Sequence, residues 1–219
     1  MDVLPVSFKR LAQLAVLLPS LLYASAVRSD DGGLMTIVAF GDSLTAGFGV
    51  DPDASFPAQL QAFLESRGLA VEVKNAGVSG DTTSGARSRL GWVLASLPPD
   101  EPDLIIVELG GNDALRGIDP ALTRENMEGI LAALQARGTP VLLAGMLAPP
   151  NLGEEYGREF NGIFPELADA YGVAFYPFFL DGVAAEPDLN QPDGIHPNRA
   201  GVAVIVDRIG PLVAQLLAR

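Results

Sequence analysis

Leu104-Ile105-Ile106-Val107-Glu108-Leu109, followed at once by Gly110-Gly111-Asn112-Asp113, is the stretch on which the fold turns. A near-continuous apolar run of strand length, closed by a glycine pair, predicts a strand buried on both faces. Such strands belong to parallel sheets flanked by helices. Working outward, Thr36 to Phe40 reads as a first strand closed by Gly41, and Val71 to Lys74, Val141 to Met146 and Val173 to Tyr176 supply three more. Between them lie stretches of helical period. Phe56 to Ser66 carries Pro57 in its first turn and Gly68 beyond its end, and Ser84 to Leu97 stops at Pro98-Pro99. Thr123 is the expected cap of a helix that buries Met127, Ile130, Leu131 and Leu134 and stops at Gly138. Glu155 to Tyr171 follows, and then a last helix from Asn198 with Val202, Ile205, Val206 and Ile209 inward, which Gly210-Pro211 should bend or weaken. The alternation predicts one α/β domain: a five-stranded, mainly parallel sheet with helices on both faces.

Composition bounds what that domain does. The chain has 219 residues, 48% of them hydrophobic, which suits a single domain with a full core and excludes intrinsic disorder. Cysteine is absent, so there is no disulfide framework, no thiolate metal site and no cysteine nucleophile. A net charge of −13 repels phosphate backbones and anionic head groups, which argues against a nucleic-acid partner. The single histidine, His196, rules out a metal centre built on several imidazoles, and any imidazole chemistry must run through that one residue.

Residues 1–26 differ from the rest. Lys9-Arg10 precedes an apolar run from Leu11 to Leu22, and Ala24-Ser25-Ala26 supplies the small residues at which signal peptidases cut. The expectation is a cleaved signal peptide over 1–26, a lead-in over 27–35 and the domain over 36–219, with the mature protein periplasmic or secreted and not inserted in the membrane. An uncleaved anchor, or a start at Met35 that leaves the protein cytoplasmic, is the alternative. Cleavage would remove Asp2, Lys9 and Arg10, a net +1, and so take the charge from −13 to −14.

In open parallel sheets ligands bind beyond the carboxyl ends of the strands. Four polar clusters fall at that edge: Gly41-Asp42-Ser43-Leu44 after the first strand, Ser79-Gly80-Asp81-Thr82 after the second, Gly110-Gly111-Asn112-Asp113 after the third, and Asp193-Gly194-Ile195-His196-Pro197 before the last helix. A serine, the only histidine and a carboxylate three residues before it make a candidate acyl-transfer set. The imidazole takes the serine proton and the carboxylate holds the imidazole's tautomer. One histidine also predicts that activity falls with pH through a single proton uptake. The G-x-S-x-G turn of lipase-type hydrolases is absent.

The four clusters, in this order, resemble the sequence blocks of the GDSL/SGNH hydrolase family, and LGGNDALRG, SGDTT and DGIHPN bring the chain closest to its bacterial periplasmic arylesterase, thioesterase and lysophospholipase branch. The resemblance runs from Thr36 to the C-terminus. It implies a flavodoxin-like fold and a serine hydrolase that cleaves carboxylic esters or thioesters through an acyl-enzyme. Ser43 would be the nucleophile, His196 the general base and Asp193 its partner. The oxyanion hole would be the N–H groups of Ser43 and Gly80 and the Asn112 side-chain amide. No cofactor or metal is implied, and the partner is a small-molecule ester or thioester.

Each of these residues also has a plainer reading. Ser43 can be a helix cap, His196 a turn residue, Asn112 an Asx-turn and Gly80 a turn glycine. Asp42 and Asp113 read as carboxylates that brace loops. The loops Leu115 to Ile118 and Leu147 to Gly153 either line a substrate channel or pack as core. Two other functions share these features: a carbohydrate O-acetylesterase with the same triad, and a non-enzymatic flavodoxin-like module whose first loop cradles a phosphate. The second leaves Asp193 and His196 without a task.

Overall fold

A computed structural model describes residues 33–218 together with Met1. The expected signal peptide, and the lead-in as far as residue 32, lie outside the described residues. The chain runs β1 (Met35–Gly41), α1 (Ser43–Ala46), α2 (Phe56–Glu65), β2 (Val71–Gly77), α3 (Thr83–Ala95) and β3 (Leu104–Glu108). It continues with α4 (Gly111–Leu115), α5 (Pro120–Arg137), β4 (Val141–Ala144), α6 (Glu154–Tyr171), β5 (Ala174–Tyr176) and α7 (Arg199–Leu217). The strands form one sheet in the order β2-β1-β3-β4-β5, and every pairing is parallel.

Apolar patterning explains the layers. All five residues of β3 are buried, as expected of a strand covered on both faces. Parallel strands need crossovers, and right-handed crossovers from a strand order that reverses direction put helices on opposite faces. Accordingly α2 packs with α7, whereas α5 packs with both α3 and α6. The buried face of α7 is Val202, Ile205, Val206, Ile209 and Val213. Its hydropathy and length would suffice to cross a membrane, yet this face belongs to the hydrophobic core.

Two local expectations change. Met35 pairs with Val71 and opens β1 instead of closing the lead-in. The cap of α5 is Asp119, whose carboxylate accepts from the Ala121 N–H at 2.9 Å with Pro120 in the first turn. Thr123 lies inside the helix, fully buried, and donates to Asp113 Oδ1 at 3.2 Å. Helix α7 continues through Pro211 to Leu217. Gly210 there lies so close to the Phe63 ring of α2 that a Cβ would collide with it.

The order β2-β1-β3 makes the chain leave β1 and β3 in opposite directions across the sheet. A crevice therefore opens between their carboxyl ends. The segments that follow both strands meet there.

Candidate active site

Strand β1 ends at Gly41, and the register sets Gly41 beside Gly77 on one side and Glu108 on the other. A Cβ on Gly41 would collide with Thr45 Oγ1 and would stand 2.6 Å from both Glu108 O and Glu108 Oε2, so only glycine lets the turn pack this tightly. Asp42 then caps the one-turn helix α1, with Oδ1 accepting from the Leu44 N–H at 3.0 Å. Ser43 is its first residue. An N–H in that position has no partner within the helix and is free to donate outward.

Asp193 and His196 share the short loop before α7. Asp193 Oδ1 accepts from the N–H groups of Ile195 (2.9 Å) and His196 (3.0 Å), while Oδ2 lies 2.7 Å from His196 Nδ1. The loop's own backbone thus aims the carboxylate at the ring. The two backbone donors, His196 first and Ile195 second, and then the imidazole hold the Asp193 carboxyl down at about 2. It is ionised throughout the physiological range. His196 Nε2 lies 2.9 Å from Ser43 Oγ, and the Phe48 ring packs against the imidazole at 4.6 Å between centroids. The three sequence-predicted residues are therefore brought into one chain of contacts.

The remaining predicted residues converge on the same crevice. Asn112, in α4, donates from Nδ2 to Asp42 Oδ2 at 2.9 Å, which fixes the amide's orientation and leaves its second hydrogen available. The Gly80 loop is held from both sides: the Val78 N–H donates to Gly41 O at 3.0 Å, and Arg116 Nη2 donates to Gly80 O at 2.8 Å. Among the described residues nothing accepts from the Gly80 N–H. Asp113 braces α3 and α5, accepting from the Thr83 N–H (2.9 Å), Thr83 Oγ1 (2.5 Å) and Thr123 Oγ1 (3.2 Å).

Sequence reasoning missed three residues here. Arg89 of α3 ties the second and first loops together, donating to Asp81 Oδ2 (2.6 Å), Ala76 O (2.8 Å) and Gly41 O (2.9 Å). Glu108, at the end of β3, is fully buried beneath Asp42, with Thr45 Oγ1 donating to its Oε2 at 2.7 Å and no partner for Oε1. Its signal was visible as the one carboxyl in an otherwise apolar strand. Gln191, in the histidine loop, is the third. Burial pushes Asp42 up to about 6, against the pull of its Leu44 and Asn112 donors. Burial, and then the neighbouring Asp42 charge, push Glu108 well above the ordinary carboxyl range. Of the two, Glu108 is pushed further toward its neutral form and Asp42 is the more readily ionised.

Around the crevice several large apolar side chains face solvent: Phe48, Val78, Leu115, Leu147 and Ile195. Leu115 and Leu147 are 51% and 43% exposed, so their loops are not core at these positions.

Residues 39–204 match the GDSL-like lipase/acylhydrolase family. Esterase TesA of Pseudomonas aeruginosa is 36% identical over 194 residues, spanning 89% of this chain and 95% of that one. Thioesterase 1/protease 1/lysophospholipase L1 of Escherichia coli is 38% identical over 182 residues, 81% of this chain and 85% of its own. Among solved structures, the SGNH-hydrolase family esterase AlinE4 superposes with a TM-score of 0.72 at 52% identity, covering 84% of this chain and 97% of that one. Five parallel strands with a serine and an imidazole at the reversal point, in this company, define a serine ester hydrolase of small-molecule esters. The chain belongs to the GDSL-like lipase/acylhydrolase family.

Proposed function

We propose that Ser43 is the nucleophile, His196 the general base and Asp193 the residue that orients it, and that the N–H groups of Ser43 and Gly80 with Asn112 Nδ2 form the oxyanion hole. The observation that carries this reading is the continuous Asp193–His196–Ser43 chain of 2.7 Å and 2.9 Å contacts. Ser43 Oγ attacks the acyl carbon as His196 Nε2 takes its proton. The tetrahedral oxyanion is stabilised by donors already in place, each worth about 10²–10³ in rate. His196 returns the proton to the leaving alcohol or thiol. A water, deprotonated by His196, then attacks the acyl-Ser43 ester; the carboxylic acid leaves and His196 returns the proton to Ser43 Oγ. Asp193 stays ionised and stabilises the imidazolium without taking its proton.

The substrate is an ester or thioester of a hydrocarbon acyl chain. The exposed apolar rim of Phe48, Val78, Leu115, Leu147 and Ile195 supports this, because such surface favours an alkyl chain over a sugar hydroxyl. Ser43→Ala is expected to lower turnover of a soluble aryl ester by at least about 10³-fold with an unchanged melting temperature. A variant within tenfold of wild type would overturn the nucleophile.

The protein is exported. The support is the Lys9-Arg10 start, the apolar run and Ala24-Ser25-Ala26. N-terminal sequencing of the native protein is expected to begin at Val27, and a start at Met1 or Met35 would contradict export by cleavage.

A further inference from the structure

The nucleophile and the base come from segments 153 residues apart in the chain, and the 2.9 Å contact between them needs something to hold those segments together. Gln191 occupies that place. Its backbone N–H donates to His196 O at 2.7 Å, closing the loop that carries the imidazole. Its side-chain Nε2 donates to Phe48 O at 2.7 Å and to Pro197 O at 3.0 Å. The Phe48 N–H in turn donates to Ser43 O at 3.1 Å, and the Phe48 ring packs on the imidazole. A closed circuit results: Ser43 to Phe48, Phe48 to Gln191, Gln191 to His196, and His196 back to Ser43. Gly49 is shaped to admit it. A Cβ at Gly49 would collide with Gln191 Oε1, and the residue has φ +73°, a region where side chains are strained.

We infer that Gln191 is a positioning residue that fixes the separation and angle between Ser43 Oγ and His196 Nε2 by pinning the histidine loop to the segment that follows the nucleophile. This rests on the proposed roles of Ser43 and His196. The physical argument is one of satisfaction and stiffness. An amide can donate two hydrogens, and here both go to carbonyls on the two segments that must stay in register. A carboxylate or a thioether of the same length can donate neither. An ångström of misplacement at a reacting pair costs up to about 10²-fold in rate, so slackness in this tether is felt in catalysis before it is felt in folding.

The test compares the full chain with Gln191→Met, which keeps the length and loses both donors, and Gln191→Glu, which also sets a charge against two carbonyl oxygens. Rates are taken per active site, counted by stoichiometric phosphonylation, so that loss of folded enzyme does not register. The expected result is a kcat lower by about tenfold to a hundredfold with KM within about twofold, larger for Glu than for Met. The single histidine supplies a readout that a merely structural role would not move. The downfield Nδ1–H proton resonance of the one imidazole is expected to shift or broaden in both variants while the melting temperature of Gln191→Met stays close to wild type. Gln191→Met with wild-type kcat and an unmoved imidazole resonance would overturn the inference. If Ser43→Ala is inactive and that result is obtained, the tether alone fails; if Ser43→Ala remains active, the nucleophile assignment fails first.

Discussion

Two carboxyls lie buried under Ser43 with unequal sets of donors. Asp42 receives the Leu44 N–H on one oxygen and the Asn112 amide on the other, whereas Glu108 receives Thr45 Oγ1 at 2.7 Å and the Asp42 N–H at 3.5 Å on a single oxygen and nothing on the other. A buried charge persists only where donors face it, and burial pushes Glu108 further toward the protonated form than Asp42. This alters the expectation of a single proton uptake. As pH falls through about 6, Asp42 takes up a proton and Asn112 loses its anionic partner. His196 must be neutral in the same form of the enzyme. The acid limb of log kcat/KM is therefore expected to steepen toward a slope of about two, and Asp42→Asn to return it to about one. A wild-type limb of unit slope throughout would show that Asp42 does not matter to the reaction. At this scale the proposed set of Ser43, Asp193, His196, Gly80 and Asn112 can be read from sequence because each sits in a short local motif. Glu108 and Gln191 cannot, because what gives them their roles are partners 63 and 143 residues away.

Elements were legible in kind and less so at their ends. Strands β1 and β3 and helices α2 and α6 follow from apolar period and from glycine or proline stops, which are local signals. The cap of α5 is Asp119 and not Thr123, which agrees with aspartate being the better cap by type and with Pro120 in the first turn. Asp119 lies at the helix start with its carboxylate on Ala121, a local signal, whereas Thr123 turns inward to Asp113. Helix α7 runs through Pro211 despite the lost hydrogen bond, with Ile209 and Val213 buried on either side and Gly210 seated against Phe63. One-turn helices such as α1 and α4 carry no periodic signal, yet they present Ser43 and Asn112.

At the scale of the whole molecule, the strand order accounts for where the chemistry lies, and burial of Glu108 accounts for a cost the fold carries there. In the folded chain this carboxyl keeps its proton well above the pH at which the unfolded chain releases it. Over that interval the native state binds one more proton, so stability falls as pH rises, by up to about 1.4 kcal/mol per pH unit. Glu108→Gln is spared this loss. As pH rises above the ordinary carboxyl range, urea midpoints are expected to move in favour of Glu108→Gln. Parallel midpoints for the two proteins would place Glu108 outside the titrating set. In the proposed mechanism a single serine, activated by the only histidine, performs the hydrolysis. The most direct measurement is intact-mass and peptide analysis after treatment with a fluorophosphonate. One phosphonyl group per chain, on Ser43, with matching loss of esterase activity and no labelling of Ser43→Ala, is the predicted result; a label on another residue, or full activity after Ser43 is labelled, would contradict the account.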